Sequence, residues 1–256
     1  MRLNGKRIML TGAAGGMGSI LARLLAEREA NCALIDVDAE QLELLCQQLP
    51  NAIAVPANLS IGTSCQAAEA LGGVDVLINL AGLMSFCTYE DEDLNRLERL
   101  IQVNLVAPMA LSQAVLPTML AQDSGQIVNI GSMFGSIGFA YFAAYSASKF
   151  GLRGFSQALR RELLDTNVSV TYISPRAVKT PINTSAIMEM NVATKTNMDE
   201  PDVIAGKILQ AIEADRKEAY LGFPESLFAR LNGLWPALID TATRAQNQVA
   251  RSFAKP

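Results

Sequence analysis

Apolar and polar positions along this chain follow two periods that take turns. Seven short runs are rich in apolar and β-branched residues: RIMLT, CALID, AIAVP, VDVLIN, QIVNIG, VSVTYIS and EAYLG. Between them apolar side chains recur at three- and four-residue steps, as at Leu21, Leu24 and Leu25, at Leu97, Leu100 and Ile101 with Asn104, and at Leu152, Phe155, Leu159 and Leu163. The runs suit strands, and the second spacing suits helices with one apolar stripe. Strands that alternate with helices predict a parallel sheet covered on both faces. VDVLIN and QIVNIG are apolar almost throughout, as strands buried on both sides are. The pattern predicts a single α/β domain, doubly wound around a seven-stranded parallel sheet, over residues 1–222, with a helical extension over 223–256.

That extension has a pattern of its own. Leu227, Phe228, Leu231, Leu234, Trp235, Leu238, Ile239 and Ala242 fall on one helical stripe, which Pro236 is expected to kink or divide. The stripe suits packing against the core or a sister subunit. It would also suit a cover over a long apolar substrate, or a peripheral membrane contact helped by Arg230, Arg244 and Arg251.

Composition narrows the choices. Half of the 256 residues are hydrophobic, ample for one large core, and a net charge of −4 gives no footprint for nucleic acid. Cys32, Cys46, Cys65 and Cys87 are scattered, and the chain has no histidine, so no metal site is expected. Free thiols point to a reducing compartment, with the cytoplasm as the default. The basic start is followed by an apolar run only from Ile8 to Leu10, too short for a signal peptide. The uncharged stretches between Val103 and Gln122 and between Ser124 and Ser148 carry Asn, Gln, Ser, Gly or Pro, and read as interior elements of a soluble protein.

Chemistry enters with TGAAGGMG, Thr11 to Gly18, placed between the first strand and the first helix. Glycines at 12, 16 and 18 permit a tight turn and a close approach of backbone to a pyrophosphate, which would rest on the amides of the helix N-terminus. A Gly-rich turn without a ligand is the weaker alternative at this position. Asp36 closes the second strand, where a carboxylate can accept both ribose hydroxyls and would repel a 2′-phosphate. No residue of the glycine loop is basic, so NAD is favoured over NADP, although a strand-end aspartate can also serve only as a turn former. These features define the sheet as Rossmann-type.

Without an imidazole, proton transfer needs another group. In AAYSASKFGLRGF, Tyr145 and Lys149 stand four residues apart and share a helix face. An ammonium beside a phenol would lower its pKa from about 10, making tyrosine a usable general acid or base.

The order of TGxxxGxG, NLAG at Asn79 to Gly82, Asn104, Ser132 and YxxxK resembles the short-chain dehydrogenases/reductases, in their classical subgroup, over about residues 5–222. Among them the chain is most similar to bacterial reductases with a GSxFGSIG segment and a C-terminal helical extension. The resemblance implies that Ser132 bonds the substrate oxygen, Tyr145 exchanges its proton, Lys149 also holds the nicotinamide ribose, and Asn104 fixes a water leading to the lysine. It implies cofactor contacts at Gly12, Gly16, Met17, Gly18, Asp36, Asn58, Leu59, Asn79, Ala81, Gly82, Pro175, Val178 and Thr180. Three departures stand out: Asn58 where relatives carry an aspartate, Leu80 for a second asparagine, and Arg176 for the glycine of a PGxxxT segment. Arg176 would bind an anionic substrate group or, the preferred reading, pair with a carboxylate. The segment 183–200, with Met188, Met190 and Met198, corresponds to the family's substrate lid. The activity expected is NAD(H)-dependent interconversion of a secondary alcohol and a ketone on a lipophilic or acyl-type substrate, in a homodimer or homotetramer. The alternative is a non-catalytic NAD(H)-binding sensor or interaction protein on the same fold.

Overall fold

The computed structural model describes residues 1–59 and 70–254. Cys65 lies outside them. All seven expected strands form: β1 (Arg7–Thr11), β2 (Asn31–Asp36), β3 (Ala52–Pro56), β4 (Val76–Asn79), β5 (Gly125–Ile130), β6 (Val168–Pro175) and β7 (Glu218–Leu221). They make one parallel sheet in the order β3-β2-β1-β4-β5-β6-β7. Among the described residues the helices are α1 (Gly16–Ala26), α2 (Ala39–Cys46), α3 (Leu94–Ile101), α4 (Ala107–Ala121), α5 (Ala143–Glu162), α6 (Ser185–Ala193), α7 (Pro201–Glu213), α8 (Glu225–Asn232) and α9 (Pro236–Ala250).

Strand alternation sorts the core into two layers. Ile8, Leu10, Leu34 and Ile78 face α1 and α7, where Leu21, Leu25, Ile204 and Ile208 complete the packing. Met9, Ile35, Leu77 and Ile127 face the other side, against Leu111, Val115 and Met119 of α4 and Leu159 of α5. Each central strand is therefore apolar on both faces, which is why its sequence shows no alternation. A π turn, Gln102–Val106, joins α3 to α4, so that Leu94–Ala121 runs as one helix. This helix is long and apolar enough to cross a membrane, but Leu111, Val115 and Met119 are buried against the sheet.

Short polar side chains set the helix starts. Asp38 caps α2 by accepting from the Gln41 amide at 3.1 Å, and Asp93 caps α3 by accepting from the Arg96 amide at 2.8 Å. The Gly15 cap of α1 offers no side chain. Strand order reverses between β1 and β4, and the crevice beyond their C-terminal ends is where ligands of such sheets bind.

Candidate active site

The crevice holds two cavities with common walls. The first, about 430 Å³, runs along Gly12, Ala14 to Gly18, Asp36, Ala57 to Leu59 and Leu80 to Leu83. The second, about 200 Å³, lies over Ser132, Tyr145 and Lys149. Met17, Leu80, Gly82 and Thr180 line both.

Close packing shapes the glycine loop. Gly12 has φ +71°, and a Cβ on it would stand 2.8 Å from the Ala81 Cα. A Cβ on Gly18 would stand 1.9 Å from the Gly12 carbonyl oxygen. Any side chain at either position would push the loop from β4 or from itself. The uncapped N-terminus of α1 is thereby presented to the groove, a setting that suits an anion. Thr11, unnoticed in the sequence, fastens the neighbouring segment: its Oγ1 accepts from the Leu80 and Ala81 amides, each at 3.1 Å.

Asp36 lines the groove while its carboxylate accepts from the Ala14 amide at 2.9 Å and the Asp38 amide at 3.2 Å. Asn58, Leu59, Ala81 and Gly82 line it as well. So does Arg99 of α3, which sequence reasoning missed because nothing local marks a helix residue as facing a groove. Asn79 does not line it. The alternation that sends Leu77 toward α4 sends Asn79 the same way, and its Nδ2 donates to Asn129 Oδ1 at 2.8 Å. Asn129 in turn donates to Ser156 Oγ at 2.9 Å. The Asn79 side chain thus belongs to a buried ladder beneath the cleft.

α5 carries Tyr145 and Lys149 into the second cavity on one face, both buried. Lys149 Nζ lies 5.8 Å from the Tyr145 ring centroid and donates to the Ile130 carbonyl at 3.1 Å. Ser132 stands two residues beyond β5, caps the following turn by accepting from the Phe134 amide at 3.2 Å, and lines the cavity with Tyr145. Asn104 sits in the π turn. Its Oδ1 accepts from the Leu83 amide at 2.7 Å, and its Nδ2 donates to Leu83 O at 2.9 Å and Ser148 Oγ at 3.0 Å. Ser148 donates to the Tyr145 carbonyl at 2.7 Å, which ties this amide to α5. A Cβ on Gly82 would stand 3.4 Å from Asn104 Oδ1 and 3.6 Å from Lys149 Nζ, so all three meet at the junction of the cavities.

The expected depression of the Tyr145 pKa is overturned in the protein alone. Burial pushes the phenol up to about 12, against a smaller pull downward from Ser132. Burial also draws Lys149 down to about 8. The reason is that desolvation disfavours each charged form, and the ammonium is aimed at a backbone carbonyl.

Pro175, Val178 and Thr180 line the second cavity, as does Arg176. Arg176 Nε and Nη2 donate to the two oxygens of Asp199, each at 2.8 Å, and Nη1 donates to Glu225 at 3.2 Å and to Phe223 O at 3.1 Å. The ion-pair reading of Arg176 is the one observed. The clasp joins the end of β6 to the starts of α7 and α8. Ile187, Met190 and Asn191 of α6 and Gln246, Asn247 and Ala250 of α9 complete the cavity wall.

The stripe drawn through 227–242 does not survive as one face. Pro236 begins a separate helix, and Leu227, Phe228, Leu234, Trp235 and Leu238 are exposed. Of the stripe, Ile239 is buried and Leu231 packs beside it, and Ala229 and Ala250 also meet the core.

A family model described as short chain dehydrogenase matches residues 6–191. The chain is 32% identical over 222 residues to the ketoacyl reductase HetN of Nostoc sp., covering 82% of this chain and 76% of that one. It is 31% identical over 271 residues to dehydrogenase/reductase SDR family member 7B of Danio rerio, covering 96% and 87%. A Burkholderia phymatum short chain dehydrogenase/reductase, solved in complex with NAD, superposes with TM-score 0.84 at 22% identity over 93% of this chain and 96% of its own. A short-chain dehydrogenase from Streptomyces avermitilis superposes with TM-score 0.80 at 25% identity, covering 97% and 99%. By sequence and by fold, this chain belongs to the short-chain dehydrogenase/reductase family of oxidoreductases.

Proposed function

We propose that the chain interconverts a secondary alcohol and a ketone on a lipophilic or acyl-type substrate, with NAD(H) preferred over NADP(H) and Tyr145 as general acid and base. The observation that carries this reading is the joining of the two cavities at Gly82, which sets Ser132, Tyr145 and Lys149 beside a groove fit for a dinucleotide. Support for the cofactor comes from the bare amide terminus of α1 and from Asp36 in the groove. The HetN relative supports a ketone substrate. Residues 1–222 would carry cofactor and chemistry, with 223–256 as a cover. Met109, Leu120 and Phe150, exposed on α4 and α5, support a homo-oligomer, and the free thiols of Cys32, Cys46 and Cys87 support the cytoplasm.

The bound dinucleotide would supply or accept the hydride at its nicotinamide ring. Gly15, Gly16 and Met17 would hold its phosphates, and Asp36 its adenosine ribose. Ser132 and Tyr145 would hydrogen-bond the substrate oxygen, and Tyr145 would give it a proton as negative charge develops there. A phenol held near 12 stays protonated at neutral pH, which suits donation in the reductive direction. Lys149 is cationic below about 8 and steadies that charge. The expected rate of ketone reduction is therefore flat on the acid side and declines as pH rises through about 8, where the ammonium loses its proton.

Reduction of a ketone panel by NADH and NADPH, in wild type and Tyr145→Phe, tests the reading. The variant should lose about 10²–10⁴-fold in kcat while binding NADH as before. Undiminished turnover in Tyr145→Phe would reject the proton donor. A wild type inert toward every ketone yet binding NADH tightly would establish the sensor alternative.

A further inference from the structure

The wall of the second cavity near Tyr145 is aromatic, with Phe134, Phe139 and Phe142. The wall carried by α6 and α9 is different. Asn191, Gln246 and Asn247 face the cavity from there. Asn191 is 6% exposed, and its side-chain nitrogen reaches only the Met198 thioether, 3.6 Å away. A thioether is a weak acceptor, so a buried amide keeps most of its hydrogen-bonding capacity. Gln246 and Asn247 donate to threonine hydroxyls at 3.5 Å, at the limit of a useful bond. One buried amide in this condition, with two half-buried ones beside it, favours a ligand that completes their bonds.

The charged groups on the cavity wall are Lys149, Arg176 and Glu225. Lys149 is tied to Ile130 O. Arg176 is held between two carboxylates, Asp199 and Glu225, which leaves the clasp with net negative charge. A carboxylate or phosphate entering there would find no free cation and would meet Glu225.

We infer that the substrate is an uncharged ketone or alcohol with an apolar body and a distal hydrogen-bonding group, a hydroxyl or an amide, read by Asn191, Gln246 and Asn247. The reacting end of that substrate rests on the oxidoreductase reading above. The distal subsite does not, because its occupancy is measurable without turnover.

The test uses straight-chain methyl ketones of equal length that end in a methyl, a hydroxyl or a carboxylate. Their affinities for the NADH complex of Tyr145→Phe are measured by calorimetry, and their reduction is measured in wild type. The hydroxyl-ended ketone should bind about tenfold more tightly than the methyl-ended one, the worth of one good hydrogen bond. The carboxylate-ended ketone should bind most weakly. Asn191→Leu or Gln246→Leu, each checked by circular dichroism and NADH affinity, should shrink the hydroxyl preference at least threefold. Equal affinities for hydroxyl and methyl, tightest binding of the carboxylate, no binding of any ketone, or a preference unmoved in both variants would overturn the inference. Selective binding without turnover in wild type would instead keep the subsite and sink the oxidoreductase reading. Turnover without selectivity would do the reverse.

Discussion

A Cβ added to Gly18 would stand 1.9 Å from the Gly12 carbonyl oxygen, whereas one added to Gly233, between the two C-terminal helices, would meet nothing nearer than the Arg230 carbonyl oxygen at 3.4 Å. The glycine loop and the α8–α9 cover border one cleft, yet their construction differs. The loop is backbone packed on backbone, with Thr11 bonding two amides of the adjacent segment. The cover meets the body through small or single side chains such as Ala229 and Ile239, and through the Arg176 clasp. Geometry of the main chain is hard to alter one residue at a time, while an ion pair and a few apolar contacts are easy to exchange. The comparison teaches that the half that would hold a common cofactor is the rigid one, and the half that would select a substrate is adjustable.

The sharpest way to break this comparison is Gly18→Ala. The added methyl must move backbone, so a loss of about 3 kcal/mol is expected, together with loss of NADH binding; Gly233→Ala should change stability by less than about 0.5 kcal/mol. Urea denaturation of the pair checks it, and equal effects would show that the two regions are equally rigid. Next in size is Arg176→Met. It frees α8 from the ends of β6 and the lid segment, so KM should rise several-fold with kcat nearly unchanged. Its cost in stability should stay near 1 kcal/mol or less, because the paired groups are partly solvated. A fall in kcat with KM constant would show that the clasp acts on the chemistry. The smallest effect belongs to Trp235→Ser, at a side chain 64% exposed, where melting should be nearly unchanged. Sedimentation of that variant sharpens the point: dissociation of an oligomer would show that a sister subunit covers the patch.

The sequence was most readable where local chemistry fixes geometry. The glycine spacing, the strand-end Asp36 and the Tyr145–Lys149 pair depend on turns and helical period, which neighbours along the chain determine. The direction of the Asn79 side chain was not legible, because a strand sends alternate residues to opposite faces and the motif does not say which face the cleft takes. The C-terminal stripe divides at Pro236 as expected, but periodicity alone does not say which of its apolar side chains meet the core, and Leu234, Trp235 and Leu238 stay exposed. The phenol's shift was misjudged for a third reason. Burial depends on Phe134, folded back by the turn before α5, and on Ile187 and Met190 of α6, some forty residues further along the chain, which share a cluster with Tyr145. Gly131 and Gly135 had no visible purpose either, until Tyr172 was found lying against both.

The π turn at Gln102–Val106 has a consequence for how this chain can be edited. Leu100 before it packs in the cluster of Phe86, Phe142 and Tyr145, whereas Met119 after it packs in the cluster of Leu77 and Ile127. The surplus residue of the wide turn sets the angle between those two buried faces. Deleting a single residue between Leu100 and Leu111 would rotate the downstream half and swing Leu111 and Val115 off the sheet, so this stretch tolerates exchange of letters but not a change in their number.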